Sequence, residues 1–475
     1  MTTPYWIAGS ATTSDTELAV HSPYDGALVG TTSQATAADV ERAVAAAEAV
    51  APELAVLPAH ARAAALDHVS RRLVERADEI AALITAEAGK PVKWARVEVT
   101  RAASTFRWAA EEARRFSGDL QRLDTDPTAN GRMALVRRVP RGPVLGIAPF
   151  NFPLNLVAHK VAPAIAVGAP IILKPAPATP LVALLLGELL AETDLPAGAW
   201  SVLPVPNEVA AELVADPRLP VVTFTGSGPV GFGILDRVPR KHVTLELGGN
   251  AAAIVCPDWT DIDWAAQRIA TFAMYQAGQS CISVQRVYVH RAVYDEVAAA
   301  VVAHVRKLGT GDPSLPGTDV GPLINLPAAE RVQEWVSEAV TAGATLLTGG
   351  DRDGSTVEPT VLAGVPEDAK VVAEEVFGPV VVLQVVDSVE EAFAKVNASR
   401  FGLQAGVFTH DVRVAFQASA KLAVGGVIVG DVPSFRADQM PYGGVKESGL
   451  GREGVRSTMD DLTEQRVLVL TGLTI

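Results

Sequence analysis

Val221-Val222-Thr223-Phe224-Thr225-Gly226-Ser227-Gly228-Pro229-Val230-Gly231 runs from an apolar strand pattern into Gly-x-Gly-x-x-Gly and on into a helical pattern. That order is what a dinucleotide fingerprint needs. The glycines let the backbone approach a pyrophosphate, and the first N–H groups of the helix are free to meet it. Upstream, residues 144–148, 171–174 and 201–205 are short continuous apolar runs, each followed by a helical stretch. Strands buried on both faces read this way, so a parallel sheet covered by helices is predicted from Pro143 onward. A second α/β series occupies about 250–430, with strands at 284–290, 380–386 and 426–429.

The flanks have a different character. Residues 1 to about 35 read as short strands and turns, and Thr36-Ala37-Ala38-Asp39 fits a capping box opening an Ala-rich helix to about Val50. Two longer helical patterns cover 62–87 and 92–116, separated by Gly89-Lys90-Pro91. Residues 118–140 end in Met133-Ala134-Leu135-Val136-Arg137-Arg138-Val139, a strand with little nearby to bury it. Residues 462–470 are strand-like again, and are expected to pair with 133–139 or across a subunit interface.

Bulk properties exclude several classes. A chain of 475 residues with 49% hydrophobic and 20% charged residues is globular and divides into two or three domains. A formal charge of −14 with no basic stripe argues against nucleic-acid and anionic-membrane partners. The longest apolar run, 161–173, is too short and too broken by Pro and Gly to span a bilayer. Two cysteines form no disulfide framework and match no zinc spacing, so no metal is expected. Met1-Thr2-Thr3-Pro4-Tyr5-Trp6 lacks a basic region followed by an apolar core, so no signal peptide is expected; residues 472–475 form no recognised address, and a reducing cytoplasm is the expectation.

One of those cysteines lies in Ala277-Gly278-Gln279-Ser280-Cys281-Ile282-Ser283-Val284-Gln285-Arg286, among small and polar residues. The other, Cys256, sits at a strand end and reads as packing. Upstream of Cys281, Thr244-Leu245-Glu246-Leu247-Gly248-Gly249-Asn250 ends a strand-like run on a carboxylate. Glu246 has two readings. It stands about twenty residues past the glycine loop, where a ribose-binding acid is expected, and it is equally a base for a thiol nucleophile.

Several motifs resemble the aldehyde dehydrogenase superfamily. They are Phe150-Asn151-Phe152-Pro153, Lys174-Pro175-Ala176, Phe224-Thr225-Gly226-Ser227, Leu245-Glu246-Leu247-Gly248-Gly249, Gly278-Gln279-Ser280-Cys281 and Glu375-Val376-Phe377-Gly378-Pro379. Pro441-Tyr442-Gly443-Gly444-Val445-Lys446-Glu447-Ser448-Gly449 completes the set, in the family's order and over essentially the whole chain. The resemblance implies an α/β fold: a Rossmann-like dinucleotide-binding domain (1–117 and 141–248), an α/β catalytic domain (249–449), and a β oligomerisation arm and tail (118–140 and 455–475). It also implies a homodimer or homotetramer.

By the same resemblance Cys281 attacks the aldehyde, Asn151 and the Cys281 N–H hold the oxyanion, and Glu246 activates the water that hydrolyses a thioester. Gly226 and Ser227 would contact the pyrophosphate, Lys174 the adenine-side ribose and Glu375 the nicotinamide-side ribose. Phe377 would stand at the nicotinamide end, and Phe150 would be a further cofactor contact. NAD or NADP is expected, NAD slightly favoured. Yet Pro177 stands where NAD-preferring relatives often carry a glutamate, so a 2′-phosphate is not repelled.

For the substrate, Asn151, Asn155 and His159 follow at i, i+4 and i+8, so Asn155 and His159 are expected near the catalytic face. The alternative for His159 is a satisfied core histidine. Arg436 falls in the loop that closes the pocket in the family, and Arg107 or Arg101 is expected to approach from another side. A guanidinium there would clamp a carboxylate, phosphate or phosphonate, whereas the alternative for each is a surface ion pair. The expectation is a hydrolytic NAD(P)-dependent dehydrogenase of a small polar or anionic aldehyde. A CoA-acylating dehydrogenase and a non-catalytic dinucleotide-binding protein are its rivals.

Overall fold

The computed structural model describes residues 2–472; residue 1 and residues 473–475, the outer ends of the expected first domain and tail, lie outside the described residues. The glycine-loop strand, Val221–Thr225, lies inside an eight-stranded sheet. It pairs in parallel with His242–Glu246 on one side and Val144–Ile147 on the other. Beyond Val144–Ile147 follow Ile171–Lys174 and Trp200–Val202, again parallel. The edges are antiparallel and come from the two ends of the chain: Tyr5–Ile7 with Ser10–Thr12, and Gly449–Leu450. The continuous apolar runs predicted for this sheet are buried on both faces.

Helices cover the sheet, and buried carboxylates fix their starts. The capping box at Thr36 forms, with Thr36 Oγ1 accepting from Asp39 N and the Asp39 carboxylate from Thr36 N. That helix runs to Val56, past Pro52, because Leu54 is fully buried and draws the last turn inward. The 62–87 pattern divides at Arg76 into Ala59–Glu75 and Ala77–Ala88. Glu87 accepts the N–H groups of Leu181 and Val182 at 2.8 and 3.1 Å. Glu98, on Val92–Arg115, accepts those of Leu154 and Asn155 at 2.9 and 3.0 Å. Each satisfies donors that a helix start leaves orphaned. Glu98 is itself paired with buried Lys90, whose ammonium lies 4.0 Å above the Phe152 ring. The Asn155–Val167 helix is thereby locked in place.

The second sheet has seven strands in the spatial order Thr345–Thr348, Thr360–Ala363, Val380–Val386, Arg286–His290, Ala252–Val255, Gln404–Phe408 and Gly426–Val429. A valine-rich core packs beneath it. The third sheet is the arm. Thr463–Thr471 pairs antiparallel with Arg132–Pro140 from Thr463↔Pro140 to Thr471↔Arg132, and Asp119–Arg122 adds the third strand. The Val455–Asp461 helix does not extend this arm. Its Val455 and Met459, with Leu462, join the core of the first sheet.

Among the described residues no helix is long and apolar enough to cross a membrane.

Candidate active site

The helix Ile262–Met274 delivers the chain into the turn that carries Cys281. Gln276, Ala277 and Gly278 take φ of 53°, 54° and 69°, three consecutive left-handed residues. The first two bear side chains, so the conformation is strained and must be held from outside. Gln276 Nε2 donates to the Asn151 carbonyl, Ile324 N donates to Gln279 Oε1 at 2.9 Å, and Tyr275 Oη donates to Ser280 Oγ at 2.8 Å. A side chain at Gly278 would run into the Gly378 carbonyl. This close approach brings the Glu375–Pro379 motif against the cysteine turn.

Cys281 and Glu246 line one cavity of about 330 Å³, together with Asn151, Ser227, Glu375 and Phe377. Burial pushes the Cys281 thiol up to about 12; a hydrogen bond from Tyr442 and the charge of Arg436 act against it. Glu246 ends its strand beside Thr225 and is buried, and neither carboxylate oxygen has a hydrogen-bond partner among the described residues. Burial first, then the Glu453 charge, holds it well above the usual carboxylate range. A buried carboxyl without partners is costly, and a proton-transferring role is what such a group suits.

Asn151 donates from Nδ2 to the Gln279 carbonyl at 3.0 Å, while its Oδ1 is buried without a partner. The carbonyl only accepts, so the nitrogen faces it and the second N–H remains to be used. The Cys281 N–H makes no backbone hydrogen bond among the described residues.

The residues expected to hold the cofactor lie along a cleft. The cysteine cavity shares Ser227, Gly248 and Glu375 with a second one of about 620 Å³ that reaches Arg400. Ser227 is the N-cap residue of Gly228–Arg237, yet its side chain makes no capping bond. Glu375 Oε1 accepts from Gly249 N at 2.9 Å, and burial raises its carboxyl to about 7. The rings of Phe150 and Phe377 meet edge-on at 5.9 Å. Lys174 is buried, its ammonium has only the Pro175 carbonyl at 3.4 Å, and burial lowers it to about 8. These polar groups, each with capacity left over, fit a dinucleotide: hydroxyls for Lys174 and Glu375, phosphate for Ser227 and the helix start.

The expected substrate residues separate into two groups. Arg436 is buried, donates to Glu453 Oε1 at 2.6 Å, lies 3.9 Å over the Tyr442 ring, and leaves its Nε unpartnered. His159 and Asn155 are fully buried and turned into a protein network, not into the cavity. His159 Nε2 is 3.1 Å from Asp438 Oδ1, and Asn155 Nδ2 donates to the same oxygen at 3.4 Å. Burial and the Arg436 charge hold His159 below its ordinary value. The polar tunnel lining expected of this pair is thus taken up by Asp438 and Thr105.

Arg107 is a second correction. It is about half exposed (side chain 49%) and pairs with Glu111 at 2.6 Å on the surface. Arg101 faces inward instead, donating to Asp438 Oδ1 at 2.8 Å with its Nε buried and unpartnered. Six residues along a helix turn a side chain about 240° away, so the two arginines cannot share a face.

Other contributors had no role in the sequence reading. Tyr442 Oη is 2.9 Å from Cys281 Sγ. Arg331 lines the cysteine cavity and donates to the Val376 carbonyl at 2.7 Å; burial lowers its guanidinium, and the Glu375 charge acts against that. Lys160, fully buried, donates to Thr225 Oγ1 at 2.8 Å and lies 3.7 Å from Glu453 Oε2. Tyr442 was readable only as part of a motif. Arg331 and Glu453 carry no local signal, because their partners are remote in sequence.

Residues 8–468 match the aldehyde dehydrogenase family. The chain belongs to that family. It is 41% identical over 466 residues to a 3-sulfolactaldehyde dehydrogenase of Priestia aryabhattai, covering 98% of this aldehyde dehydrogenase and 97% of that one. Aldehyde dehydrogenase 21 from Physcomitrella patens, solved in complex with the reaction product succinate, superposes with a TM-score of 0.97 at 46% identity, over 99% and 98% of the two chains. A glyceraldehyde-3-phosphate dehydrogenase from Methanocaldococcus jannaschii, complexed with NADP, gives 0.91 at 34% identity over 96% and 99%. This aldehyde dehydrogenase is an NAD(P)-dependent oxidoreductase with the Rossmann-like and catalytic α/β units of its family.

Proposed function

We propose that this aldehyde dehydrogenase oxidises a small anionic aldehyde to the corresponding carboxylate by a hydrolytic, cysteine-dependent route. The observation that carries the reading is the pair Arg101 and Arg436: one guanidinium partly exposed (side chain 26%) and one buried, each with a buried, unpartnered Nε, tied to Asp438 and Glu453. Arg436 lies over the ring of a tyrosine whose hydroxyl meets the Cys281 sulfur. The distance from thiol to guanidinium is therefore set by one aromatic side chain, which suits an aldehyde of a few carbons. Planar N–H donors in a desolvated site recognise carboxylate, sulfonate or phosphate oxygens. The relatives named for 3-sulfolactaldehyde, succinate and glyceraldehyde 3-phosphate all handle anions.

In this reading Cys281 attacks as thiolate, forming a C–S bond and moving the carbonyl electron pair onto oxygen. The free Asn151 N–H and the Cys281 N–H receive that oxyanion. When bound, the nicotinamide supplies the two-electron acceptor for the substrate C–H bond. Phe150, Phe377 and Glu375 would hold its end of the cofactor, Ser227 and Arg331 the pyrophosphate, and Lys174 the other ribose. Glu246 then takes a proton from water, the water oxygen adds to the thioester carbon, and the C–S bond breaks to release acid and thiolate. A partnerless base beside the thiol favours water over CoA as the acyl acceptor.

Two further expectations belong here. The strand 463–471 exposes Val467, Leu468 and Val469 (57, 56 and 49%), which supports a homodimer or homotetramer built through the arm. Two free cysteines suit a reducing cytoplasm.

The test is turnover of an aldehyde panel with NAD and with NADP, followed by absorbance of the reduced cofactor. Anionic aldehydes should lead. Arg436→Ala and Arg101→Ala should each raise KM for them by about 10- to 100-fold, the worth of a charge-assisted hydrogen bond. An apolar aldehyde leading, with KM unmoved in both variants, would refute the anion reading.

A further inference from the structure

The cysteine turn supplies no base or cation at hydrogen-bond distance from the sulfur, and burial alone would keep the thiol protonated and inert. Among the described residues the one hydrogen-bond partner of Cys281 Sγ is the Tyr442 hydroxyl, at 2.9 Å. The converse holds too. Tyr442 is 4% exposed, and its hydroxyl has no other partner among the described residues. The ring packs against Ile282 and Leu403 and would do so equally well as phenylalanine. A buried hydroxyl needs a partner, and this one has only the sulfur.

The phenol is also held rigidly. Tyr442 and Glu453 exchange backbone hydrogen bonds, N to O at 2.8 Å and N to O at 2.6 Å in return. The Glu453 side chain fixes Arg436 at 2.6 Å, and Arg436 lies 3.9 Å over the face of the same ring. A cation on the ring face draws electron density from the phenol and makes its O–H a stronger donor.

We propose that Tyr442 is the positioning residue for the nucleophile: its hydroxyl donates to the Cys281 thiolate and aims the sulfur, with donor strength set by Arg436 over its ring. The proposal rests on Cys281 as nucleophile, and it adds a route by which the arginine expected to hold the substrate anion also acts on the thiol. Tyr442 keeps its own proton throughout, since burial and the Cys281 charge hold it well above the ordinary phenol range. The other charged groups facing the sulfur are Glu375, Arg436 and Glu246. Both glutamates oppose the thiolate, and only the arginine and the tyrosine favour it.

The test is the pH dependence of Cys281 alkylation by iodoacetamide in the full-length enzyme, read by peptide mass spectrometry. Buried Cys256 reports unfolding if it becomes labelled. Tyr442→Phe should move the alkylation midpoint upward by about one pH unit, so labelling near neutrality slows about tenfold. In turnover, kcat should fall while KM for the aldehyde and affinity for NADP hold. Arg436→Lys, which removes the flat cation from the ring, should shift the midpoint in the same direction by less. It decides the matter if Tyr442→Phe does not fold.

An unmoved midpoint in the folded variant, or a change confined to KM, would overturn the proposal and leave Tyr442 a packing residue. Failure of the proposed function is read separately: Cys281→Ala would retain turnover, while the alkylation comparison between parent and Tyr442→Phe still stands.

Discussion

At the scale of single residues the site sets two ionisable groups against their ordinary chemistry. Glu246 and Cys281 both have burial as the leading cause of their upward shifts. The sign follows directly. Below its raised value Glu246 carries a proton and cannot take another from water, and below about 12 the thiol is largely protonated. Turnover should therefore climb as pH rises from neutral into the alkaline range. Lys174 acts the other way at the cofactor, because its ammonium is lost as pH rises through about 8. The KM for NADP should rise above that point, and a pH series at saturating and at limiting cofactor separates the two limbs. Glu246→Gln should lower steady-state turnover by about 10²- to 10⁴-fold. Stopped-flow should show a first burst of reduced cofactor before the stall, since only release of the acyl group needs the base. A variant that loses burst and steady state together would place Glu246 in an earlier step.

At the scale of elements the cysteine turn is a demanding piece of backbone, with three consecutive left-handed residues, the last of them pressed against Gly378. Gly278→Ala adds a methyl both at φ 69° and against that carbonyl. The expected cost is about 1–3 kcal/mol from the backbone alone, seen as a lowered Tm, with kcat falling because Cys281 is displaced. An unchanged Tm and kcat would show that the turn relaxes. Glu98→Gln probes the neighbouring anchor: it keeps an acceptor for Leu154 and Asn155 while removing the charge that pairs with Lys90. Breaking a buried pair in this way should destabilise by about 3–5 kcal/mol in denaturant unfolding. Legibility in the sequence divides along the same lines. Cys281, Glu246 and the glycine loop stand out because polar or flexible residues interrupt apolar strand patterns locally. The partners that hold the arginines do not, because Arg436 reaches His159 across 277 residues and Arg101 reaches Asp438 across 337. Between Arg107 and Arg101 the sequence does not decide, because helix phase relative to the site is not visible in composition. The break at Arg76 was hidden because both halves share one amphipathic pattern.

At the scale of the whole molecule the arm is the part left without a core. Residues 464–469 of its last strand are exposed on both faces, which is a poor state for Val467, Leu468 and Val469 in water. Replacing Val467 and Val469 by glutamate should lower the oligomeric state in sedimentation, with little effect on the secondary-structure spectrum. Association unchanged in the double variant would place the subunit contact elsewhere. Segments far apart in the chain close the first sheet from opposite sides, one edge coming from Tyr5–Ile7 with Ser10–Thr12 and the other from Gly449–Leu450. The second edge strand lies against His242–Glu246, and the helix after it fills the first core. On the ribosome, the strand that presents Glu246 should therefore keep its outer edge unpaired while some two hundred further residues are made. Nascent chains stalled before residue 449 should be cleaved around 242–246 by a protease that spares the released protein. A chain that stops before residue 449 should therefore be a substrate for quality control rather than a weaker catalyst.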